Sequence, residues 1–130
     1  MDIVADTSIL ISVITNEKHK REIVRLTENT NLVAPISLEL EIGNAFSAMF
    51  KRKRINLEQA LDAWNTYKSI PIRFFDVDME HALQLSHDLN IYAYDAYFLV
   101  CAAELGVPLI TIDKAMLLNA RKQGIKTIEV

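Results

Sequence analysis

The first eight residues, Met1-Asp2-Ile3-Val4-Ala5-Asp6-Thr7-Ser8, join a short apolar run to an acidic residue. No polar side chain interrupts Ile3, Val4 and Ala5, which predicts a strand buried on both faces. Asp6 follows at once, and a carboxylate at the end of a buried strand is destabilising unless a partner compensates its charge. In open α/β sheets, ligands bind at the edge formed by the carboxyl ends of the strands. The stretch therefore predicts an α/β sheet with a functional site at the edge that carries Asp6.

Length and composition indicate one domain spanning residues 1–130, with 51% hydrophobic and 24% charged residues. No apolar run reaches the ~18 residues of a membrane-spanning helix, and no signal peptide precedes the first strand. The single cysteine, Cys101, lies in an apolar segment and is expected in the core. These features predict a cytoplasmic protein with no membrane association. A net charge of -3 argues against a large basic face, so a nucleic-acid partner would have to contact local basic patches.

Short apolar runs alternate with segments of helical periodicity along the whole chain. This order predicts a central parallel sheet of about five short strands with helices on both faces. N-caps are expected at Ser37, at Asn56 (with Gln59 completing a capping box) and at Asp78. The predicted strands cover about 3–5, 32–34, 72–75, 109–112 and 126–130, and the predicted helices about 8–14, 19–29, 38–53, 56–69, 78–90, 94–105 and 114–122.

Three aspartates are placed where they can meet at one edge of this sheet. Asp6 and Asp113 each end a buried strand, and Asp95 opens the most apolar helix, where the helix dipole favours a negative charge. Each of them alone is readily explained as an N-cap or a helix-start residue. Because three carboxylates at one edge repel one another, the set together indicates a bound cation.

A fourth acidic ligand is expected on the helix that begins at Leu38. Glu39 and Glu41 flank its apolar stripe on opposite sides, so helical periodicity alone does not choose between them. Asn44 lies one turn beyond Glu41 on the same flank, which mildly favours Glu41.

Four short motifs occur in a specific order and together span the chain: Asp6-Thr7-Ser8 after a strand, Glu41-Ile42-Gly43-Asn44-Ala45 on a helix, Tyr94-Asp95-Ala96 opening an apolar helix, and Thr111-Ile112-Asp113 ending a strand. This pattern resembles the PIN-domain ribonucleases, in particular the VapC toxins of bacterial and archaeal toxin–antitoxin pairs. The resemblance implies a metal-binding and catalytic quartet of Asp6, Glu41, Asp95 and Asp113, and so selects Glu41 over Glu39. It also implies supporting polar roles for Thr7, Asn44 and Thr111. Some members of the family carry a further acidic residue where this chain has Lys114.

The activity implied by the resemblance is hydrolysis of single-stranded RNA by a metal-activated water, as a type II toxin. Mg²⁺ (or Mn²⁺) is the expected cofactor, because these hard cations prefer carboxylate oxygens and water as ligands. The expected partners are the RNA substrate, a small antitoxin protein and a second copy of the chain in a homodimer.

A basic run, Lys51-Arg52-Lys53-Arg54, lies at the C-terminal end of the helix that carries Glu41. It is a candidate RNA-binding patch that would compensate the acidic net charge. The alternative is that these cations stabilise the C-terminus of the helix through its dipole.

Two other functions remain open from the sequence. One is a catalytically silent binding module on the same fold. The other is a phosphoacceptor receiver-type signalling domain, which is also a parallel α/β fold that binds Mg²⁺ through acidic residues. The nearby pair Asp76 and Asp78 is interpreted as a strand end followed by an N-cap rather than as a metal motif.

Overall fold

The structure, a computed structural model, describes residues 1–130 and contains five strands and seven helices. The strands are β1 (Asp2–Ala5), β2 (Asn31–Pro35), β3 (Ile72–Phe75), β4 (Leu109–Thr111) and β5 (Thr127–Glu129). The helices are α1 (Thr7–Ile14), α2 (Lys20–Thr27), α3 (Leu38–Lys51), α4 (Leu57–Lys68), α5 (Met79–Leu89), α6 (Ala93–Leu105) and α7 (Lys114–Lys122). No helix is long and apolar enough to cross a membrane.

All five strands form one parallel sheet in the order β3-β2-β1-β4-β5. The first strand is central, since Val4 pairs with Val33 of β2 on one side and with Leu109 of β4 on the other. The predicted parallel α/β sheet is therefore confirmed. The receiver-type alternative is wrong, because that class of fold has the strand order 2-1-3-4-5.

The core explains why the run from Ile3 to Ala5 in the central strand contains no polar residue. Ile3 and Val4 are fully buried, and they are covered on both faces. The first helix packs against α2, α3 and α4, whereas α6 packs against α5 and against β1, β2 and β4. Right-handed crossover connections place these two groups of helices on opposite faces of the sheet. Cys101 lies on α6 and is fully buried, as expected.

Most predicted element boundaries agree with the structure to within one residue, and the two differences of two residues occur where the backbone turns left-handed. The second helix ends at Thr27, two residues before Asn29 adopts a positive φ of 60°. The third ends at Lys51, two residues before Lys53 adopts a φ of 56°. Residues with positive φ end helices, and Gly106 (φ 65°) follows α6 as predicted.

Two of the three predicted N-caps form and the third does not. Asn56 and Gln59 make both hydrogen bonds of a capping box, and Asp78 accepts hydrogen bonds from the backbone at the start of α5. The prediction that Ser37 caps α3 is wrong, because its hydroxyl makes no capping hydrogen bond. It donates instead to Oε2 of Glu41, at 2.8 Å.

Candidate active site

The sheet topology brings two of the predicted aspartates to one crevice. Asp6 follows β1 directly and Asp113 lies two residues beyond the end of β4, the parallel neighbour of β1. The chain moves from β1 to β2 and β3 on one side, and then returns to β4 on the other side. The carboxyl ends of β1 and β4 therefore form the topological switch point, where parallel α/β sheets bind their ligands.

Asp6 is fixed in place by three hydrogen bonds, two from hydroxyl groups and one from a backbone N–H. Its side chain is almost fully buried, with 3% of the residue exposed. Oδ1 accepts hydrogen bonds from the Ser8 hydroxyl (2.6 Å) and from the backbone N–H of Ile9 (3.2 Å), and Oδ2 accepts one from the Thr111 hydroxyl. The Thr111 hydroxyl oxygen also accepts the backbone N–H of Asp113 at 3.0 Å. Thr111 thus joins the ends of β1 and β4 and holds the Asp6 carboxylate in one orientation.

Asp113 caps α7 and keeps one oxygen free of protein hydrogen bonds. Its Oδ1 accepts the backbone N–H groups of Ala115 (2.8 Å) and Met116 (3.1 Å), and Oδ2 has no hydrogen-bond partner. Asp6 also caps the helix that follows it. The N-cap interpretation is therefore correct for both residues, and it leaves Oδ2 of Asp113 available for a ligand.

Glu41, in the first turn of α3, turns toward this crevice. The Thr7 hydroxyl donates to its Oε1 at 3.2 Å, and the Ser37 hydroxyl donates to its Oε2. Glu39 lies beside the phenol of Tyr67, whose pKa is raised by burial and by that carboxylate. The two glutamates that periodicity left equivalent thus have different neighbours, and Glu41 is the one at the sheet edge.

Electrostatic repulsion links the four predicted carboxylates. Burial, with a smaller contribution from Asp113, raises the pKa of Asp6 to about 6. Burial, followed by repulsion from Asp95 and Asp6, raises the pKa of Glu41 to about 7. Burial and Asp113 raise the pKa of Asp95. None of the four forms an ion pair with a lysine, arginine or histidine.

The donor set suits a hard divalent cation. The crevice offers carboxylate oxygens supported by hydroxyl groups, with no histidine or cysteine among them, as Mg²⁺ and Mn²⁺ prefer. No three Asp, Glu, His or Cys side chains lie close enough together to bind one ion directly. The quartet thus shares one edge and one electrostatic environment, and its assignment as a set of direct metal ligands stays a prediction. Mg²⁺ commonly keeps several waters and takes only one or two protein carboxylates.

The remaining predicted residues divide into two groups. Asn44 lines a cavity of about 190 Å³ together with Thr7, Glu41 and Tyr94, so it lies at the site. The basic run is exposed, and it follows the opposite end of α3 from Glu41. The ten residues from Glu41 to Lys51 correspond to about 15 Å of helix, so these cations are not part of the crevice.

Three residues at the site were not among the predicted site residues. Ser8 holds Asp6, Ser37 holds Glu41, and Tyr94 lines the cavity beside Glu41. A sequence signal existed for Ser37, because a residue four positions before Glu41 lies on the same face of a helix. This signal was missed because serine before a helix is also a preferred N-cap residue.

The other reactive groups of the chain lie outside this site. The Cys101 thiol is buried, and burial together with Glu104 raises its pKa to about 12, which makes it a poor nucleophile at neutral pH. His81 lies 3.7 Å from Glu104, and His87 contacts only Asp88.

Several solved structures share the fold at low sequence identity. VapBC2 from Rickettsia felis, bound to a DNA fragment from their promoter, matches with a TM-score of 0.71 and 15% identity over 99% of this chain and 98% of that chain. PAE2754 from Pyrobaculum aerophilum matches with a TM-score of 0.68 and 20% identity over 100% and 92%. FitAcB from Neisseria gonorrhoeae matches with a TM-score of 0.56 and 15% identity over 97% and 96%.

No curated protein matches this chain. The family model for the PIN domain matches residues 3–122, which include all four sequence motifs of the site. The chain therefore belongs to the PIN domain family.

Proposed function

We propose that this protein is a metal-dependent endoribonuclease and the toxin of a type II toxin–antitoxin system. The observation that carries the proposal is the group of four carboxylates at the switch point, none of which has a cationic partner in the protein. PIN domains are generally nucleases, and phosphodiester hydrolysis requires compensation of negative charge on both the protein and the phosphate.

A Mg²⁺ or Mn²⁺ ion held among Asp6, Glu41, Asp95 and Asp113, directly by one or two of the carboxylates and through bound waters by the others, would lower the pKa of a bound water and offset charge on the phosphate oxygens. The protein's own contribution is to orient these carboxylates. Asp6 is fixed by Ser8 and Thr111, and its burial keeps bulk water away from that side of the crevice. Glu41 is oriented by the hydroxyl groups of Thr7 and Ser37, which donate to its two carboxylate oxygens.

The toxin assignment and the antitoxin partner are supported by the similarity to VapBC2 and FitAcB. An exposed apolar stripe on α4 is the surface that the antitoxin would cover. Leu57 and Leu61 are 63% and 53% exposed, and Trp64 continues the stripe at helical spacing and stacks on Tyr67 with ring centroids 4.9 Å apart. A stripe at positions i, i+4 and i+7 is the pattern by which an apolar helix face engages a partner.

The proposal is tested by incubating the protein with labelled single-stranded RNA and Mg²⁺ or Mn²⁺, with and without chelator. Cleavage that requires the metal and stops when the antitoxin is added is the expected result. Metal-dependent RNA binding without cleavage would instead identify a silent binding module. Cleavage that persists in excess chelator would refute the role of a metal ion.

A second expected result concerns the basic run. Replacing Lys51 and Arg52 with alanine should weaken RNA binding and flatten its salt dependence, by about 0.7 in the slope of log K against log salt for each lost phosphate contact. Neither residue forms an ion pair in the structure, so both charges are free to meet phosphate. Fluorescence anisotropy titrations of a labelled RNA over a series of salt concentrations measure the slope.

The matched control replaces Lys122 and Lys126, which are also exposed and flank the end of another helix, α7. It removes the same charge at a different place. If both double variants change the slope equally, the effect is one of net charge and the basic run has only its helix-end role.

A further inference from the structure

A mostly apolar cavity adjoins the candidate active site. It has a volume of about 320 Å³ and lies between the end of β2, the β3–α5 loop and the start of α6. Leu40 and Tyr94 line both this cavity and the smaller one that contains Glu41, so the two spaces share a wall. Ser37 lines the cavity as well, and its hydroxyl binds Glu41.

Several apolar side chains that line this cavity are exposed to solvent. Ile36 is 60% exposed, Leu40 74% and Met79 49%. Adjacent exposed apolar side chains beside a polar catalytic centre indicate a bound apolar surface. A volume near 300 Å³ lies at the lower end of the range for small-molecule sites, which fits a single flat ring system rather than a peptide segment.

Tyr94 is positioned to provide a stacking surface. It is 53% exposed and immediately precedes Asp95 in the first turn of α6. Its ring meets Tyr97 edge to face, with centroids 5.9 Å apart and planes at 89°, and the Tyr97 hydroxyl lies 3.8 Å from the sulfur of Met79. These contacts support the ring from one side and leave more than half of the residue open to a ligand.

Asp76 supplies the one acidic group of the cavity wall. It follows β3 directly and is exposed to solvent, and its carboxylate makes no hydrogen bond and no ion pair, so it is open to a ligand. A carboxylate in such a place can accept two parallel N–H groups from the edge of a ligand.

We propose that this cavity binds the unpaired base of a nucleotide next to the scissile phosphate, with Tyr94 stacking on the base and Asp76 accepting N–H groups from its edge. The inference rests on the proposed ribonuclease function and names the part of the substrate that the site reads. A base in a duplex is stacked on both faces and paired along its edge, so only a single-stranded segment can place a base here. This arrangement would make the protein select single strands without a large basic face.

The base that fits Asp76 best is guanine. Its N1–H and N2–H groups point in the same direction and match the two oxygens of a carboxylate. Adenine and cytosine each place a ring-nitrogen acceptor beside their amino group, and uracil flanks its N–H with two carbonyl oxygens. Unpaired carbonyl or ring-nitrogen acceptors facing a carboxylate are repelled, so a guanine preference is expected.

The test has a binding arm without metal and a cleavage arm with metal. In chelator, fluorescence anisotropy measures the affinity of a labelled hexanucleotide that contains one guanine among uracils, and of the same RNA with adenine in place of guanine. Tyr94→Ala should weaken binding of the guanine RNA about tenfold, and Tyr94→Phe should retain the wild-type affinity. Asp76→Asn should bring the ratio of the affinities for the guanine RNA and the adenine RNA to about one. Because both RNAs carry the same charge, the ratio is insensitive to the general loss of an acidic group.

Tyr92→Ala is the matched control. Tyr92 is an even more exposed tyrosine, at 84%, and it lines neither cavity. Its replacement should leave both affinities unchanged. Equal losses from Tyr92→Ala and Tyr94→Ala would overturn the proposal, since the effect would then not depend on the cavity.

In the cleavage arm, a pool of random single-stranded RNA is digested with Mg²⁺ or Mn²⁺ and the cut sites are sequenced. A guanine preference at one position beside the cut, lost in Asp76→Asn, supports the base site. Cleavage with no base preference in any variant overturns it while the ribonuclease function stands. If guanine binding depends on Tyr94 and Asp76 but no RNA is cleaved, the base site stands and the proposed ribonuclease function is refuted.

Sedimentation velocity on the same variants tests the other way in which this apolar surface can be covered. If Tyr94→Ala and Leu40→Ser lower the molecular mass in solution while affinity and base preference are unchanged, the surface joins two copies of the chain and the base site is refuted. An unchanged mass together with the lost guanine preference supports the proposal.

Discussion

Replacing Asp6 or Asp95 with asparagine is expected to abolish RNA cleavage and to leave the fold intact. Asparagine keeps the shape of the side chain but loses the charge that the cation requires. Mutating a group that only supports a metal ligand already reduces activity or affinity by 10–100-fold, so loss of a ligand should exceed about 100-fold. Cleavage of a labelled single-stranded RNA at matched metal concentration measures the effect.

The fold should survive for reasons that differ between the two sites. Asparagine is as good an N-cap as aspartate, so Asp6→Asn can still accept the backbone N–H of Ile9. The Asp95 carboxylate makes no hydrogen bond in the protein, so its replacement removes no structural contact. Circular dichroism and a cooperative thermal transition are the checks of folding.

Asp78→Asn is the matched control for Asp6→Asn. Asp78 is also an N-cap that follows a strand, β3, but the repulsions that raise the pKa values of the quartet do not involve it. Its variant should cleave RNA at the wild-type rate. Near-normal cleavage by a folded Asp6→Asn or Asp95→Asn protein would show that the assigned role of that residue is wrong.

The sequence was sufficient to predict the sheet, because buried parallel strands such as Ile3 to Ala5 are uninterrupted apolar runs that no solvated segment resembles. The capping box at Asn56 was predictable for a similar reason, since all of its atoms lie within four residues. Both features depend on local chemistry.

The details of the site were less predictable because they depend on contacts between distant segments. The choice between Glu39 and Glu41 depends on Thr7, which is 34 residues away in sequence. Ser37 was predicted to accept a hydrogen bond from the backbone as an N-cap, whereas its hydroxyl donates to Glu41 in the structure. Residue propensities do not decide between these two partners. Strand order is also non-local, because the same alternation of strands and helices is compatible with the order 2-1-3-4-5.

The second large effect concerns the stability of the metal-free protein, which should fall as the pH rises from about 4 to 7. The pKa of Asp6 is raised from 3.8 to about 6, and that of Glu41 from 4.5 to about 7. Between the unfolded and folded values, the folded state holds more protons than the unfolded state, so deprotonation favours unfolding. The stabilisation is complete below the unfolded pKa values and is lost as the pH passes the folded ones.

The expected size is large for a domain of this length. For the buried Asp6, the difference between 3.8 and about 6 corresponds to about 3 kcal/mol of unfolding free energy. Glu41 is partly exposed, so solvent screening reduces its contribution. Asp2 titrates in the opposite sense, because the Asn31 amide and Arg73 lower its pKa, but its contribution is the same with and without metal. Urea unfolding at a series of pH values in chelator, and again in millimolar Mg²⁺, isolates the contribution of the quartet.

Binding of Mg²⁺ or Mn²⁺ to the folded state should reverse this loss. A cation present at 100 times its dissociation constant stabilises the folded state by about 2.7 kcal/mol, which raises the melting temperature by about 10 °C. Asp95→Asn should have a higher melting temperature than the wild type in chelator at pH 7, because it removes the repulsion of Asp95 with Glu41 and Asp113. The same variant should lose most of the gain from metal, since it lacks one of the charges that hold the ion.

Glu39→Gln separates this effect from a general response to lost charge. Glu39 lies on the same helix as Glu41, beside Tyr67 rather than at the sheet edge, so its variant should respond to metal as the wild type does. Thermal melts of the three proteins, each with chelator and with millimolar metal, give the comparison. An Asp95→Asn protein that melts below the wild type in chelator and gains as much from metal would mean that these carboxylates do not share a site, since neither their mutual repulsion nor a common cation would then be detectable.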